Sequence, residues 1–292
     1  AIATIEKEHR MGTLEGKVAI VTGASRGIGA GIALRFAAEG AKLVITARSL
    51  EPDGKLPGSL NETAARIRAM GGEVHCVKAD LADPVDRARI VPETIARFGG
   101  VDVLVNNAAW ARFRPTREQM PKHAHQAFEI NYFAPLELSQ QAIPSMIERG
   151  GGWILNLSSA TSRLPAAAPY DTTDRYFQFH VHSGPTIYGS TKAALERMSA
   201  GFAAELAASG IAVNTLAPVE AVASEGALES GTIDEGAHME PLEAMAEAAL
   251  QLCSRPQGEL SGRCVLSLPL LRELGVVVRT LDGGEPLAGF TP

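Results

Sequence analysis

Between Lys17 and Arg48 the chain reads, in order, KVAIVTG, then GIGAGIALRFAAEGA, then KLVITAR. Two wholly apolar runs of strand length flank a helical pattern with small and apolar residues along one face. This βαβ unit is the strongest constraint on the fold, because strands apolar on both faces need helices on both sides. The alternation continues. ETAARIRAMGG, VDRARIVPETIARFGG, HQAFEINYFAPLELSQQAIPSMIERG, TKAALERMSAGFAAELAASG and LEAMAEAALQLCS read as helices, and EVHCVKAD, VDVLVNNAA, GWILNLSS, IAVNTLAP and RCVLSL as strands. The expected fold is a single doubly wound, Rossmann-type α/β domain over residues 14–292, with a parallel sheet of about seven strands. Residues 1–13 read as an extension, 160–187 as a loop insertion and 219–240 as a variable substrate region.

Composition narrows the partners. A formal net charge of −6, spread along the chain, leaves no basic face for nucleic acid or anionic lipid, so a small molecule is the expected partner. No apolar run approaches the roughly 20 residues of a membrane span. Cys76, Cys253 and Cys264 are odd in number and lack CxxC spacing, which argues against a disulfide framework or zinc ribbon and for the cytoplasm. The leading AIATIEKEHR carries charges where a signal peptide is apolar.

In such a sheet, ligands bind beyond the carboxyl ends of the strands. Gly23, Arg48, Asp80, Asn106, Ser159 and Pro218 all follow or end expected strands. In TGASRGIG, Gly23, Gly27 and Gly29 occupy the first strand-to-helix turn, where a missing Cβ lets backbone approach a pyrophosphate at a helix N-terminus. No acid follows the second strand to accept from a ribose hydroxyl. Arg48 stands there and Arg26 lies in the glycine loop, so two guanidinium groups, with Ser49 adding a hydroxyl, suit a 2′-phosphate. That favours NADP(H) over NAD(H).

A tyrosine acid, with a free pKa of about 10, needs a cation beside it to work near neutrality. Tyr188 and Lys192 are four apart at the start of a helix and share a face. Four residues beyond Tyr170 and Tyr176 stand Asp174 and His180 instead.

TGxxxGxG, KADL, VNNAA, EINYFAP, NLSS and YGSTK together resemble the short-chain dehydrogenase/reductase family from about Leu14 onward. EPDGKLPGSLNETAARI and SGRCVLSLPLLRELGV resemble its hydroxysteroid dehydrogenase-like branch, a name that implies no steroid activity. The resemblance implies a catalytic set of Asn131, Ser159, Tyr188 and Lys192. Tyr188 would be the acid/base, Lys192 would lower its pKa and hold the nicotinamide ribose, Ser159 would position the substrate oxygen, and Asn131 would hold a relay water. Ser158 stays open as the alternative to Ser159. Implied cofactor contacts are Gly23, Ser25, Arg26, Gly27, Ile28, Gly29, Arg48, Ser49, Asp80, Leu81, Asn107, Ala108, Tyr188, Lys192, Pro218 and Val219. For Asp80 helix capping, and for Asn106 and Asn107 turn formation, are the structural alternatives.

Three departures stand out. Ala109 replaces the glycine of the family's NNAG. Val219 replaces the glycine after Pro218, with Ser224 a candidate for the nicotinamide amide. Ser159 and Tyr188 are separated by 29 positions, against about a dozen in many relatives. The excess carries Tyr170, Tyr176, Phe177, Phe179, His180 and His182 and reads as a wall or lid over the substrate. The HVH spacing within it lacks the further ligands of a metal site. The expected activity is an NADP(H)-dependent interconversion of an alcohol and a ketone or aldehyde by a homodimer or homotetramer. The alternative is a dinucleotide-binding regulatory or scaffold protein of the same fold with little turnover.

Overall fold

In the computed structural model, residues 12–52, 57–222 and 239–292 are described below. Most of the N-terminal extension, Ser224 and most of the 219–240 region lie outside the described residues. Seven parallel strands form one sheet in the order β3-β2-β1-β4-β5-β6-β7. They are β1 (Val18–Thr22), β2 (Lys42–Ala47), β3 (Val74–Lys78), β4 (Val103–Asn106), β5 (Gly152–Leu157), β6 (Ile211–Ala217) and β7 (Cys264–Leu266). The order reverses between β1 and β4, which opens a crevice at their carboxyl ends.

Helices cover both faces because successive strand residues point to opposite sides. Ala19 and Val21 join one apolar cluster with α1 (Gly27–Ala38), α2 (Leu60–Ala69) and α8 (Leu242–Ser254), whereas Ile20 and Leu104 join another with α3 (Pro84–Phe98) and α5 (Ala134–Glu148). In the first, the buried Arg35 of α1 pairs with Glu247 of α8 at 3.0 Å and with Glu39 at 2.6 Å.

Every expected strand forms; the differences lie in the helices and in the length of the last strand. The stretch containing Asn131 is α4 (Pro121–Phe128) running through a π-helical turn (Glu129–Phe133) into α5. Such turns widen a helix locally and often occur at functional positions. The final strand is shorter than expected, ending at Leu266, where α9 (Ser267–Leu274) begins.

The 160–187 segment is not simply a loop. It holds α6 (Arg175–Ser183), started by the Asp174 side chain accepting from Phe177 N at 2.7 Å and stopped by Gly184 in the left-handed region, φ 64°. A short 3₁₀ turn (Ala160–Ser162) precedes it, and α7 (Thr186–Leu206) follows directly.

Candidate active site

At the carboxyl ends of β1, β2 and β4 lies a cavity of about 510 Å³ lined by Gly23, Ser25, Arg26, Arg48, Ser49, Asp80, Leu81, Asn107 and Ala108. Gly23 has φ +67°, and a Cβ there would reach within 2.8 Å of Ala108 Cα. A Cβ on Gly29 would collide with Gly23 O and Asn107 Nδ2. The glycines thus let the first turn close down on the loop after β4. Asn107 fastens it, donating from Nδ2 to Thr22 O at 2.8 Å, while the amides of Asn107 and Ala108 both donate to Thr22 Oγ1 at 3.0 Å.

The N-cap residue of α1, Arg26, makes no side-chain hydrogen bond to the first turn. Arg26 and Arg48 line the same cavity, with Arg26 also donating to Gly58 O at 3.1 Å. Asp80 is not the cap of α3; Asp83 is, accepting from Val85 N at 2.8 Å. Asn106 is buried and donates to Asn156 Oδ1 at 2.8 Å, on the sheet rather than in the cavity.

Ala109, the residue that replaces the glycine of NNAG, also lines the cavity, as do Thr46, Ala47, Ala79, Trp110 and Ile130, which the sequence did not point to. Most are small or apolar residues whose role comes only from position. Thr46 Oγ1 is buried with no hydrogen-bond partner. The unpaired hydroxyl, the glycine cradle and the two arginines are chemically suited to a nicotinamide dinucleotide. Gly27, Ile28, Gly29, Tyr188, Lys192, Pro218 and Val219 do not line this cavity. For Val219 there is a further reason: its amide donates to Glu240 Oε2 at 3.0 Å, so that N–H is committed within the protein. Burial pushes the Glu240 carboxyl above the usual carboxylate range.

Beyond β5, the two serines part. Ser158 donates to Glu196 Oε1 at 2.6 Å, whereas Ser159 caps the 3₁₀ turn, accepting from Thr161 N at 3.2 Å and from Thr161 Oγ1 at 3.0 Å, and lies near enough to the Tyr188 phenol to act against the rise of its pKa. Ser159 and Tyr188 meet despite their sequence separation because α7 presses its backbone on the 3₁₀ turn. A Cβ on Gly189 would strike Thr161 O.

Lys192 is 2% exposed and donates from Nζ to Leu157 O at 2.7 Å. Its Nζ stands 5.6 Å from the centroid of the Tyr188 ring. Burial lowers the Lys192 ammonium to about 8, against the attraction of Glu196. Burial likewise pushes the Tyr188 phenol up to about 12, with Ser159 opposing. The expected lowering by Lys192 is therefore outweighed here: desolvation disfavours both charges, and the ammonium is turned to a carbonyl.

Asn131 is fully buried. Its Oδ1 accepts from Trp110 N at 2.8 Å, and its Nδ2 donates to Trp110 O at 2.9 Å and Thr191 Oγ1 at 3.0 Å. Thr191 in turn donates to Tyr188 O at 2.7 Å. Both amide protons are committed, so the side chain is a brace between the loop after β4 and α7, and a relay water would need another atom of the residue.

The insertion completes the surroundings. Phe113 lies 5.6 Å from the Tyr188 ring and meets Phe179 of α6 edge-on at 5.8 Å. Tyr176 of the same helix donates to Arg163 O at 2.8 Å. Among the described residues, no His, Cys, Asp or Glu cluster could hold a metal ion.

A doubly wound sheet with a glycine-cradled cavity at its switch point, beside a half-buried serine and tyrosine and a buried lysine, defines a class of dinucleotide-dependent oxidoreductases. The family model for short chain dehydrogenase matches residues 17–173, and the chain belongs to that family of oxidoreductases, whose fold binds NAD(P). Hydroxysteroid dehydrogenase-like protein 2 of Danio rerio is 32% identical over 279 residues, covering 94% of this chain and 63% of the relative. The chain thus spans less than two thirds of that relative's length. A short chain dehydrogenase of Mycobacterium thermoresistibile is similar in structure, with TM-score 0.78, 32% identity and 94% of each chain covered. So is a 7α-hydroxysteroid dehydrogenase solved with NADH and 7-oxo glycochenodeoxycholic acid, with TM-score 0.73, 29% identity, and 87% of this chain and 93% of that one covered.

Proposed function

We propose that the chain is an NADP(H)-dependent oxidoreductase interconverting a secondary alcohol and a ketone, or an alcohol and an aldehyde, with Tyr188 as acid and base. The observation carrying this reading is the meeting of the Ser159 turn with Tyr188 at the start of α7, with the buried Lys192 ammonium 5.6 Å from the Tyr188 ring. When bound, the nicotinamide supplies or accepts the hydride. Ser159 orients the substrate oxygen, and Tyr188 gives it a proton as negative charge develops there. A phenol held up to about 12 is fully protonated at neutral pH, the form reduction needs. The Lys192 ammonium stabilises the phenolate left behind, and Asn131 keeps the α7 turn in place. Alcohol oxidation reverses these steps.

Arg26 and Arg48, in the cavity that would hold the adenosine end, support NADP(H) over NAD(H). The three cysteines are free, consistent with a reducing cytoplasm. A homodimer or homotetramer completes the reading, as the family resemblance implies. Purified protein assayed for NADPH and NADH oxidation across a carbonyl panel tests the reading. Turnover with NADPH that Tyr188→Phe abolishes is the expected result. Binding of cofactor with no turnover across the panel, and no difference between wild type and Tyr188→Phe in any cellular assay, would overturn it.

A further inference from the structure

Two walls of the cavity are joined by one buried side chain. Leu81, in the turn after β3, and Ile130, in the π turn between α4 and α5, both line the cavity. Arg87, in the first turn of α3, has a side chain only 2% exposed and reaches both segments. Its Nη1 donates to Leu81 O at 2.6 Å and lies 2.6 Å from Oε1 of Glu129, the residue before Ile130. Its Nε and Nη2 donate to Glu137 Oε2 at 2.7 Å and Oε1 at 3.1 Å, a two-pronged grip on α5. None of these acceptors belongs to α3.

The π turn makes this convergence possible. Glu129 opens that turn and Glu137 follows eight positions later, in α5. In an unbroken α-helix, positions so spaced point about 80° apart around the axis. The additional residue of a π turn takes up most of that rotation, so both carboxylates come to one guanidinium. A charge this buried needs its donors matched, and acceptors from three segments match it. The residue after Ile130 is Asn131, which bonds Trp110 and Thr191, and Thr191 bonds Tyr188 O. A shift of the π turn would therefore reach the cavity through Ile130 and α7 through Asn131.

We propose that Arg87 is a positioning residue: by holding Leu81 O and the Glu129 and Glu137 carboxylates at once, it fixes two walls of the dinucleotide cavity against each other and keeps Asn131 in register with the Tyr188 turn. The effect on turnover rests on the oxidoreductase reading above. The effect on cofactor binding does not.

The test titrates the full chain calorimetrically with NADPH and NADH and, with the tighter of the two at saturation, measures kcat on a carbonyl substrate. In Arg87→Met the Glu129 and Glu137 side chains, 37% and 38% exposed, can turn to water, so no buried charge is left behind. This variant should weaken cofactor binding and lower kcat, each by about tenfold. Arg87→Lys should recover part of both, because an ammonium keeps the charge but cannot reach all three acceptors. Glu129→Ala should lower kcat, and the double variant Arg87→Met/Glu129→Ala should be no worse than Arg87→Met alone, since both changes break the same contact. A lowered Tm with wild-type cofactor affinity and kcat in Arg87→Met would show a merely structural role and overturn the inference. So would an unchanged kcat in Glu129→Ala, which leaves Arg87 bound to Glu137 and Leu81 O and tests the π-turn contact even where Arg87→Met does not fold. Failure of the oxidoreductase reading is distinguishable: wild type would then show no turnover, while the difference in cofactor affinity between wild type and Arg87→Met would remain.

Discussion

The cavity at the ends of β1, β2 and β4 and the aromatic wall on α6 are neighbours built on opposite principles. The cavity is made by backbone: glycines without Cβ atoms and amides tied to Thr22. The wall is made by side chains, with ring contacts running from Tyr176 through His180, Phe179 and Phe113 to Tyr188. A backbone site fixes a common ligand and tolerates little change, whereas a side-chain site on an inserted helix can vary while the chemistry beneath it stays the same.

The contrast can be broken most sharply where the two regions meet. Tyr188→Phe should lower kcat/KM for carbonyl reduction by about 10³-fold with cofactor affinity unchanged, measured by steady-state kinetics and fluorescence titration. Ser159→Ala should cost about 10²-fold in kcat, while Ser158→Ala, which loses only its bond to Glu196, should keep near-normal kinetics. Equal effects at the two serines would remove the distinction drawn between them.

On the cavity side, Arg48→Ala and Arg26→Ala should each weaken NADPH binding about tenfold and leave NADH nearly unaffected, which calorimetry of both cofactors checks. On the wall side, replacing residues 175–183 with a Gly/Ser linker should leave NADPH affinity intact and raise KM. Loss of cofactor binding in that variant would show that the two regions are not separable.

The smallest effect expected is on stability. Lys192 titrates near 8 when folded, below its ordinary 10.5, so between these pH values the unfolded chain binds more protons. The contribution of this group to stability therefore rises with pH, by about 2 kcal/mol from pH 8 to 10. Urea unfolding should show that rise in wild type and not in Lys192→Met.

Much of this was legible in local sequence. Val18–Thr22 and Ile211–Ala217 are buried throughout and mostly apolar because both faces are covered, and a run of that kind announces itself. Tyr188 and Lys192 declare their shared face by spacing alone. Helix α6 was also signalled, by Asp174 and Gly184 at its ends, but its aromatic and histidine content obscured the helical pattern. Ser158 and Ser159 could not be told apart, since adjacent residues at a strand end point to different neighbours, and those neighbours, Glu196 and Tyr188, come from α7. Trp110 and Thr46, and the Glu240 partner of Val219, were beyond reach for the same reason: those contacts, or the lack of them, arise from chain segments brought together only by the fold.

The sequence by itself determined the order of strands and helices, the glycine turn and the pairing of Tyr188 with Lys192, because these depend on residues within one or two turns of each other. Only the tertiary structure decided which serine meets the phenol, that Asn131 is a brace, that Glu240 occupies the Val219 amide, and that the long insertion lays an aromatic face beside the site. Each of those depends on burial and on contacts between distant segments, and neither is written in the spacing of neighbouring residues.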